Sequence, residues 1–277
     1  GVVKNHILPE IGPVRLQKLT VNHLERLYAA ILAKKKRDGT PLSMRQAHLA
    51  HQVLNIALSA AVKKGLIKVN PCERVPQPPS TSYSAEDRPR LAWSDVPRVL
   101  AEVEGTRYYI PFLLAMSAGL RRGEIIGLRW KNVDLENGII HVREQIQRGE
   151  DKKPKLETIM KTEAAVRDVP IPSDVVAALR EHRRHQKVVD LNGFVVTNSR
   201  GGHLRMWDLD KKWSEIREKL GLPKKMVFHD LRGSWVTWLA ERKVDMKAAS
   251  QLLGHTDERT TRRLYQSVTR ERKLEAA

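Results

Sequence analysis

Apolar residues recur along this chain with the period of a helix in most stretches and with the period of a strand in one. Leu24, Leu27, Tyr28, Ile31 and Leu32 fall on a single helix face between residues 20 and 33, with Thr20 placed to cap it. A second helix is expected from about Ser43, with Leu49, Val53, Ile56, Ala57 and Ala60 on one face, stopping near Gly65 and Asn70-Pro71. Residues 1–76 therefore read as a small all-helical unit. Gln77-Pro78-Pro79-Ser80-Thr81-Ser82 has the composition of an extended linker, which places a domain boundary within 77–86.

From residue 87 onward a larger domain is predicted. Ser94 can cap a helix to about Glu104, and Tyr109 to Met116 is apolar on all sides, as a buried helix ending at Gly119 would be. The period then changes. Asn137-Gly138 between Val133-Asp134-Leu135 and Ile139-Ile140-His141-Val142 signals a hairpin, and Val166 to Ile171 reads as a further strand. Helices return at Asp174–Gln186, Trp207–Leu220, His229–Arg242, Asp245–Leu253 and about Glu258–Arg270. The expected class is mainly α with a small antiparallel β-sheet, an α+β chain of two domains.

Composition narrows the partner. Fifty lysines and arginines stand against 32 acidic residues, a surplus of 18 that calls for a polyanion, and nucleic acid is the first candidate. No apolar run approaches the roughly 18 residues of a spanning helix. No signal-peptide pattern opens the chain either, so no membrane partner is expected. Residues 1–80 hold 13 basic and 4 acidic residues, a surplus of 9 that marks the helical unit as a DNA clamp, with Lys34, Lys35, Lys36, Arg37 and Arg45 as candidate contacts. Cys72 is the single cysteine, which excludes internal disulfides and cysteine-rich zinc sites and fits a reducing cytoplasm. His182 and His185 have a metal-gripping spacing but no third ligand nearby, so no metal is expected. Asn198-Ser199-Arg200-Gly201-Gly202-His203 lacks the Lys-Ser/Thr ending of a nucleotide-binding loop. Trp207, Trp213, Trp235 and Trp238 are expected in the core.

Three segments carry candidate chemistry. Ala118-Gly119-Leu120-Arg121-Arg122-Gly123-Glu124 lies between two helices, with Arg121 at a helix start. His229-Asp230-Leu231-Arg232 opens a helix and sets a proton carrier and a guanidinium on one face. Leu252-Leu253-Gly254-His255 ends a helix, and Thr260-Thr261-Arg262-Arg263-Leu264-Tyr265 lies in the next one.

In this order and spacing the segments resemble the tyrosine recombinases, the phage and integrative-element integrases. The resemblance spans almost the whole chain. Asn5-His6-Ile7-Leu8-Pro9 and Ala61-Val62-Lys63-Lys64-Gly65-Leu66-Ile67 are similar to that family's helical core-binding domain. Lys161-Thr162, preceding Val166-Arg167-Asp168-Val169-Pro170, is similar to its hairpin lysine. The resemblance implies a core-binding domain over 1–76 and a catalytic domain over 87–277. It also implies double-stranded DNA as substrate, a homo-tetramer on two DNA sites, accessory DNA-bending or directionality factors, and no cofactor. Integration or excision of a phage or mobile element, in the cytoplasm and near the nucleoid of a bacterial or phage-infected cell, is the activity it implies. The abrupt start at Gly1-Val2-Val3 leads us to expect that an arm-site domain precedes this segment in the full protein.

Physical chemistry assigns matching roles. A metal-free enzyme must neutralise the nonbridging oxygens as charge builds on phosphorus, and arginine forks do so better than lysine. Arg121 and Arg232 are the choices, with His255 as a further donor and Glu124 orienting the cluster. Tyrosine titrates near about 10, so the nucleophile Tyr265 needs a base, for which His229 is the candidate. The leaving 5′ oxygen needs a proton that a lysine on a hairpin can deliver, and the resemblance implies that Lys161 has this role. A type IB topoisomerase and a DNA-binding regulator with a decayed site are the alternatives, and the complete catalytic set argues against decay.

Overall fold

A computed structural model describes residues 1–35, 39–42, 44–79, 88–149, 153–158, 166–186 and 190–254. The chain divides into two compact units, Gly1–Tyr83 and Ser84–Ala277, each with its own apolar core.

In the first unit a π-helical turn, Val3–Ile7, runs into α1 (Leu8–Ile11), followed by α2 (Val21–Ala33) and α3 (Met44–Lys63). Thr20 caps α2 in a box closed by His23, whose Nδ1 lies 2.8 Å from the Thr20 hydroxyl. Leu24, Leu27, Tyr28 and Ile31 of α2 are buried with Ala47, Ala50, Leu54 and Leu58 of α3. That face of α3 is not the one read from its spacing. Leu49 and Ile56 are exposed, Ile56 by 72%, because the small residues Ala47 and Ala50 let the two helices approach closely on the other side. Asn70 closes the unit: its Nδ2 donates to Asn55 Oδ1 (2.7 Å) and Ser59 Oγ (2.9 Å), and its Oδ1 accepts from the Cys72 amide (2.9 Å).

The second unit begins with a 3₁₀ turn, Trp93–Asp95, and α4 (Val96–Ala101), then α5 (Tyr109–Ser117) and α6 (Arg122–Gly127). The helix expected from Ser94 to Glu104 is thus confined to α4, its start set by Pro97 in the first turn. Among the described residues five strands follow: β1 (Val133–Asp134), β2 (Ile139–Val142), β3 (Glu144–Arg148), β4 (Pro154–Thr158) and β5 (Arg167–Pro170). The chain ends, among the described residues, in α7 (Ser173–His185), α8 (Met206–Lys219), α9 (Phe228–Glu241) and α10 (Met246–Leu253). The helix expected over Glu258–Arg270 lies outside the described residues.

The hairpin forms as read, with Val133 opposite Ile140, and β5 pairs antiparallel with β2 to complete the order β1-β2-β5. A second, two-stranded ribbon, β3–β4, was not apparent in the pattern; only Ile146 on it is fully buried. It packs against α6 through two glycines one turn apart. A Cβ on Gly123 would stand 2.6 Å from the Ile146 carbonyl oxygen, and one on Gly127 2.8 Å from the Ile146 nitrogen. α5 is buried on every side, with Phe112 against Trp213 and Phe228. Trp213, Trp235 and Trp238 lie in this core, but Trp207, expected there, is 63% exposed at the start of α8, where Lys211 Nζ stands 5.6 Å from its ring. Among the described residues no helix is long and apolar enough to cross a membrane.

Candidate active site

Arg121 is the N-cap residue of α6, extended at φ −70° and ψ 150°, so its side chain leaves the helix start. Glu124, at the third helical position, reaches back to accept the Arg121 amide at 2.7 Å and the Arg121 Nη1 at 2.8 Å. The same carboxylate accepts Arg167 Nη1 at 2.9 Å and Nη2 at 2.8 Å, a bidentate fork. Glu124 and Arg167 are buried, whereas the Arg121 side chain is one-third exposed.

A third arginine meets them at the end of α10. Gly254 closes that helix in the left-handed conformation, and the three successive carbonyls before His255 each receive one guanidinium. Leu252 accepts Arg167 Nε at 2.7 Å, Leu253 accepts Arg232 Nη2 at 2.5 Å, and Gly254 accepts Arg121 Nη2 at 3.0 Å. Arg232 also donates from Nη1 to the Gly119 carbonyl at 2.5 Å. Carbonyls that a helix end leaves without partners are thereby satisfied, and the cations sit at the negative end of the helix dipole.

The cluster holds three guanidiniums and one carboxylate, a net charge of 3 − 1 = +2. Burial alone would raise the Glu124 carboxyl, but hydrogen bonds from Arg167 and the charges of Arg167, Arg232 and Arg121 hold it down to about 2. Burial pushes the Arg232 guanidinium down, and its neighbours Arg121 and Arg167 add to this, with Glu124 opposing.

His229 lies in the first turn of α9. That turn is capped by Asp230, whose Oδ2 accepts the Val227 amide at 2.8 Å and whose Oδ1 accepts Arg88 Nη1 at 3.1 Å. The imidazole is solvent-accessible at the wall of a cleft of about 590 Å³, also lined by Arg121, Arg122, Gln145, Gln147, Ser214 and Arg217. Desolvation by the surrounding protein lowers its pKa, and the charges of Arg232, Arg88 and Arg121 lower it further against Asp230. A neutral imidazole beside a guanidinium can accept a proton.

The structure therefore brings together Arg121, Glu124, His229 and Arg232, with Arg121 and His229 at the cleft and Arg232 buried behind them. Lys161, His255 and Tyr265 lie outside the described residues, His255 directly after Gly254 in the chain. In the first unit Lys34 Nζ pairs with Glu10 at 3.1 Å, Lys35 and Arg45 are exposed, and Lys36 and Arg37 lie outside the described residues. The His182 ring is held by the Val195 carbonyl at 2.7 Å and His185 by Glu181 at 2.7 Å. Sequence reasoning missed Arg167. The signal was present in strand parity: Arg167 and Val169 point inward while Asp168 and Pro170 point out, and an inward arginine requires a buried acid.

Residues 89–272 match the phage integrase family. Over its whole length the chain is 31% identical to a tyrosine recombinase XerC-like protein of Caldanaerobacter subterraneus and spans 74% of that protein. The chain belongs to the phage integrase family of tyrosine recombinases. This recombinase is also 29% identical to a putative prophage phiRv2 integrase of Mycobacterium tuberculosis, over 100% of this chain and 70% of that one. Its fold matches the Tn1549 transposon integrase solved with a circular intermediate DNA, with a TM-score of 0.79 at 19% identity, covering 100% of this chain and 91% of that one. A lambda integrase dimer bound to a COC′ core site matches with a TM-score of 0.65 at 16% identity, over 95% of this chain and 69% of that one.

Proposed function

We propose that the recombinase cleaves and rejoins double-stranded DNA through a 3′-phosphotyrosine on Tyr265, and that it integrates or excises a phage or mobile element. The observation that carries this reading is the convergence of Arg121, Arg232 and the Glu124-anchored Arg167 on the end of α10, beside a cleft that His229 also lines. The excess positive charge of this cluster complements a phosphorus centre that gains negative charge during attack. Arg121, at the cleft, and Arg232, behind it, stabilise the nonbridging oxygens, with His255 as a further donor.

His229 removes the proton as the Tyr265 oxygen attacks phosphorus. The bond to the 5′ oxygen breaks, and Lys161 protonates that oxygen as it leaves. The reverse sequence, begun by the 5′ hydroxyl of a partner strand, expels tyrosine and reseals the DNA, so no outside energy source is needed. Exchange between two duplexes uses four such sites, which we assign to a homo-tetramer on two DNA sites. Accessory DNA-bending or directionality factors would select integration or excision.

Tyr265→Phe tests the assignment directly, because it deletes the nucleophilic oxygen and little volume. The wild-type protein, denatured during reaction with a two-site plasmid, should carry covalently bound DNA and should yield rearranged product. The variant should bind DNA with near wild-type affinity and form neither. A denaturant-stable adduct in the variant would refute Tyr265 as nucleophile, and plasmid relaxation by the wild type without rearrangement would point instead to topoisomerase chemistry.

A further inference from the structure

We propose that Arg167 is a positioning residue for cleavage: it fixes both the carboxylate that aims Arg121 and the end of α10 that leads into His255. The proposal rests on the reading of Arg121 as a phosphate-binding group. Arg167 is buried on β5 and does not line the cleft that Arg121 and His229 share, and none of the roles given above requires it to meet DNA.

Among the described residues its three nitrogens reach three different acceptors. Nη1 and Nη2 take the two oxygens of Glu124, and Nε takes the Leu252 carbonyl. With both Glu124 oxygens held by Arg167, the carboxylate plane cannot turn, and it is this plane that receives the Arg121 amide and Nη1. The bond to Leu252 acts on the other side of Arg121, two residues before the Gly254 carbonyl that holds Arg121 Nη2. Arg121 is thus gripped at two points, Glu124 and Gly254, and Arg167 braces the carboxylate at one and the helix end at the other. Only the planar fork of arginine can satisfy a bidentate carboxylate and a carbonyl together; the single nitrogen of lysine keeps the charge and loses that geometry.

A buried ion pair could instead serve stability alone, and a comparison of two substrates separates the roles. One oligonucleotide carries an ordinary scissile phosphodiester. The other carries a methylphosphonate, in which a methyl group replaces one nonbridging oxygen and removes the charge that Arg121 neutralises. Single-turnover cleavage by wild type, Arg121→Ala, Arg167→Lys and Arg167→Gln is measured on both. Both rates for each variant come from one preparation, so the folded fraction cancels in their ratio, and the two Arg167 substitutions make the outcome independent of either one folding well.

Arg167→Lys should cleave the phosphodiester about 10- to 100-fold more slowly than wild type, by analogy with the loss when a hydrogen-bond partner that orients a metal ligand is removed. On the methylphosphonate most of that deficit should vanish, as it should for Arg121→Ala. If Arg121→Ala is restored on the neutral substrate while both Arg167 variants are slowed equally on the two, Arg167 is structural only and the proposal is overturned. If Arg121→Ala cleaves the phosphodiester at the wild-type rate, the reading of Arg121 itself fails, and the proposal with it.

Discussion

The His229 imidazole stands among more positive than negative charge. Desolvation and the guanidiniums of Arg232, Arg88 and Arg121 all disfavour a proton there, and the Asp230 carboxylate favours one. Its folded pKa is lowered, so the native state binds fewer protons than the unfolded chain. Any stability it contributes is present above the ordinary histidine value of 6.5 and is lost as pH falls through the lower folded value. As a base it should stay competent to the acid side of pH 6.5. Arg88→Ala removes one positive neighbour and leaves Asp230 without that partner, and both changes favour the proton. The acid limb of the cleavage-rate profile should therefore move toward 6.5 in this variant, and an NMR titration of His229 should move with it. A limb unchanged by Arg88→Ala would remove His229 from the role of base. Glu124 does not confuse the result, since its carboxyl titrates only at about 2.

Between elements, the contact of α6 with the β3–β4 ribbon sets two effects against each other. Replacing glycine with alanine inside a helix ordinarily stabilises it by about 1 kcal/mol. At Gly123 the new Cβ would lie 2.6 Å from the Ile146 carbonyl oxygen, a backbone atom that moves only if the ribbon moves. Overpacking of this kind costs about 1–3 kcal/mol, so the steric term wins. Gly123→Ala should lower the urea midpoint; a raised midpoint would mean that the ribbon yields freely. This ribbon also shows where the pattern of the chain stopped being informative. The helices were legible because each buries a stripe with helical period, and the β1–β2 hairpin because Asn137-Gly138 marks its turn. Glu144-Gln145-Ile146-Gln147-Arg148 buries one fully covered side chain, which leaves too few apolar positions to show an alternation. In α3 the obstacle was the reverse. Two faces are apolar, and periodicity does not say that the alanine-rich one lies against α2 while Ile56 faces solvent. Arg121, Glu124, His229 and Arg232 were legible by motif, but the partnership of Arg167 with Glu124 joins residues 43 positions apart and exists only in the fold.

For the molecule as a whole, the distribution of charge predicts how it holds DNA. Half of its surplus of 18 positive charges lies in the first 80 residues, where no catalytic group is assigned. Each lysine or arginine that replaces a counterion on a phosphate steepens the fall of affinity with salt, and removing one such contact should reduce the slope of log K against log salt by about 1. Lys35 and Arg45 are exposed, so their charges are available to a phosphate, while Lys34 already faces Glu10 at 3.1 Å. Lys35→Ala and Arg45→Ala should each flatten the slope by about one unit and weaken specific and non-specific DNA to a similar degree, because phosphate contacts carry no sequence information. Lys34→Ala should flatten it less, since Glu10 competes for that charge. Substitution of exposed side chains typically changes stability by no more than about 0.5 kcal/mol, so thermal unfolding should be unaltered and the affinity change attributable to charge. Equal slopes for Lys35→Ala, Arg45→Ala and the wild type would mean that the surplus of the helical unit faces away from the duplex.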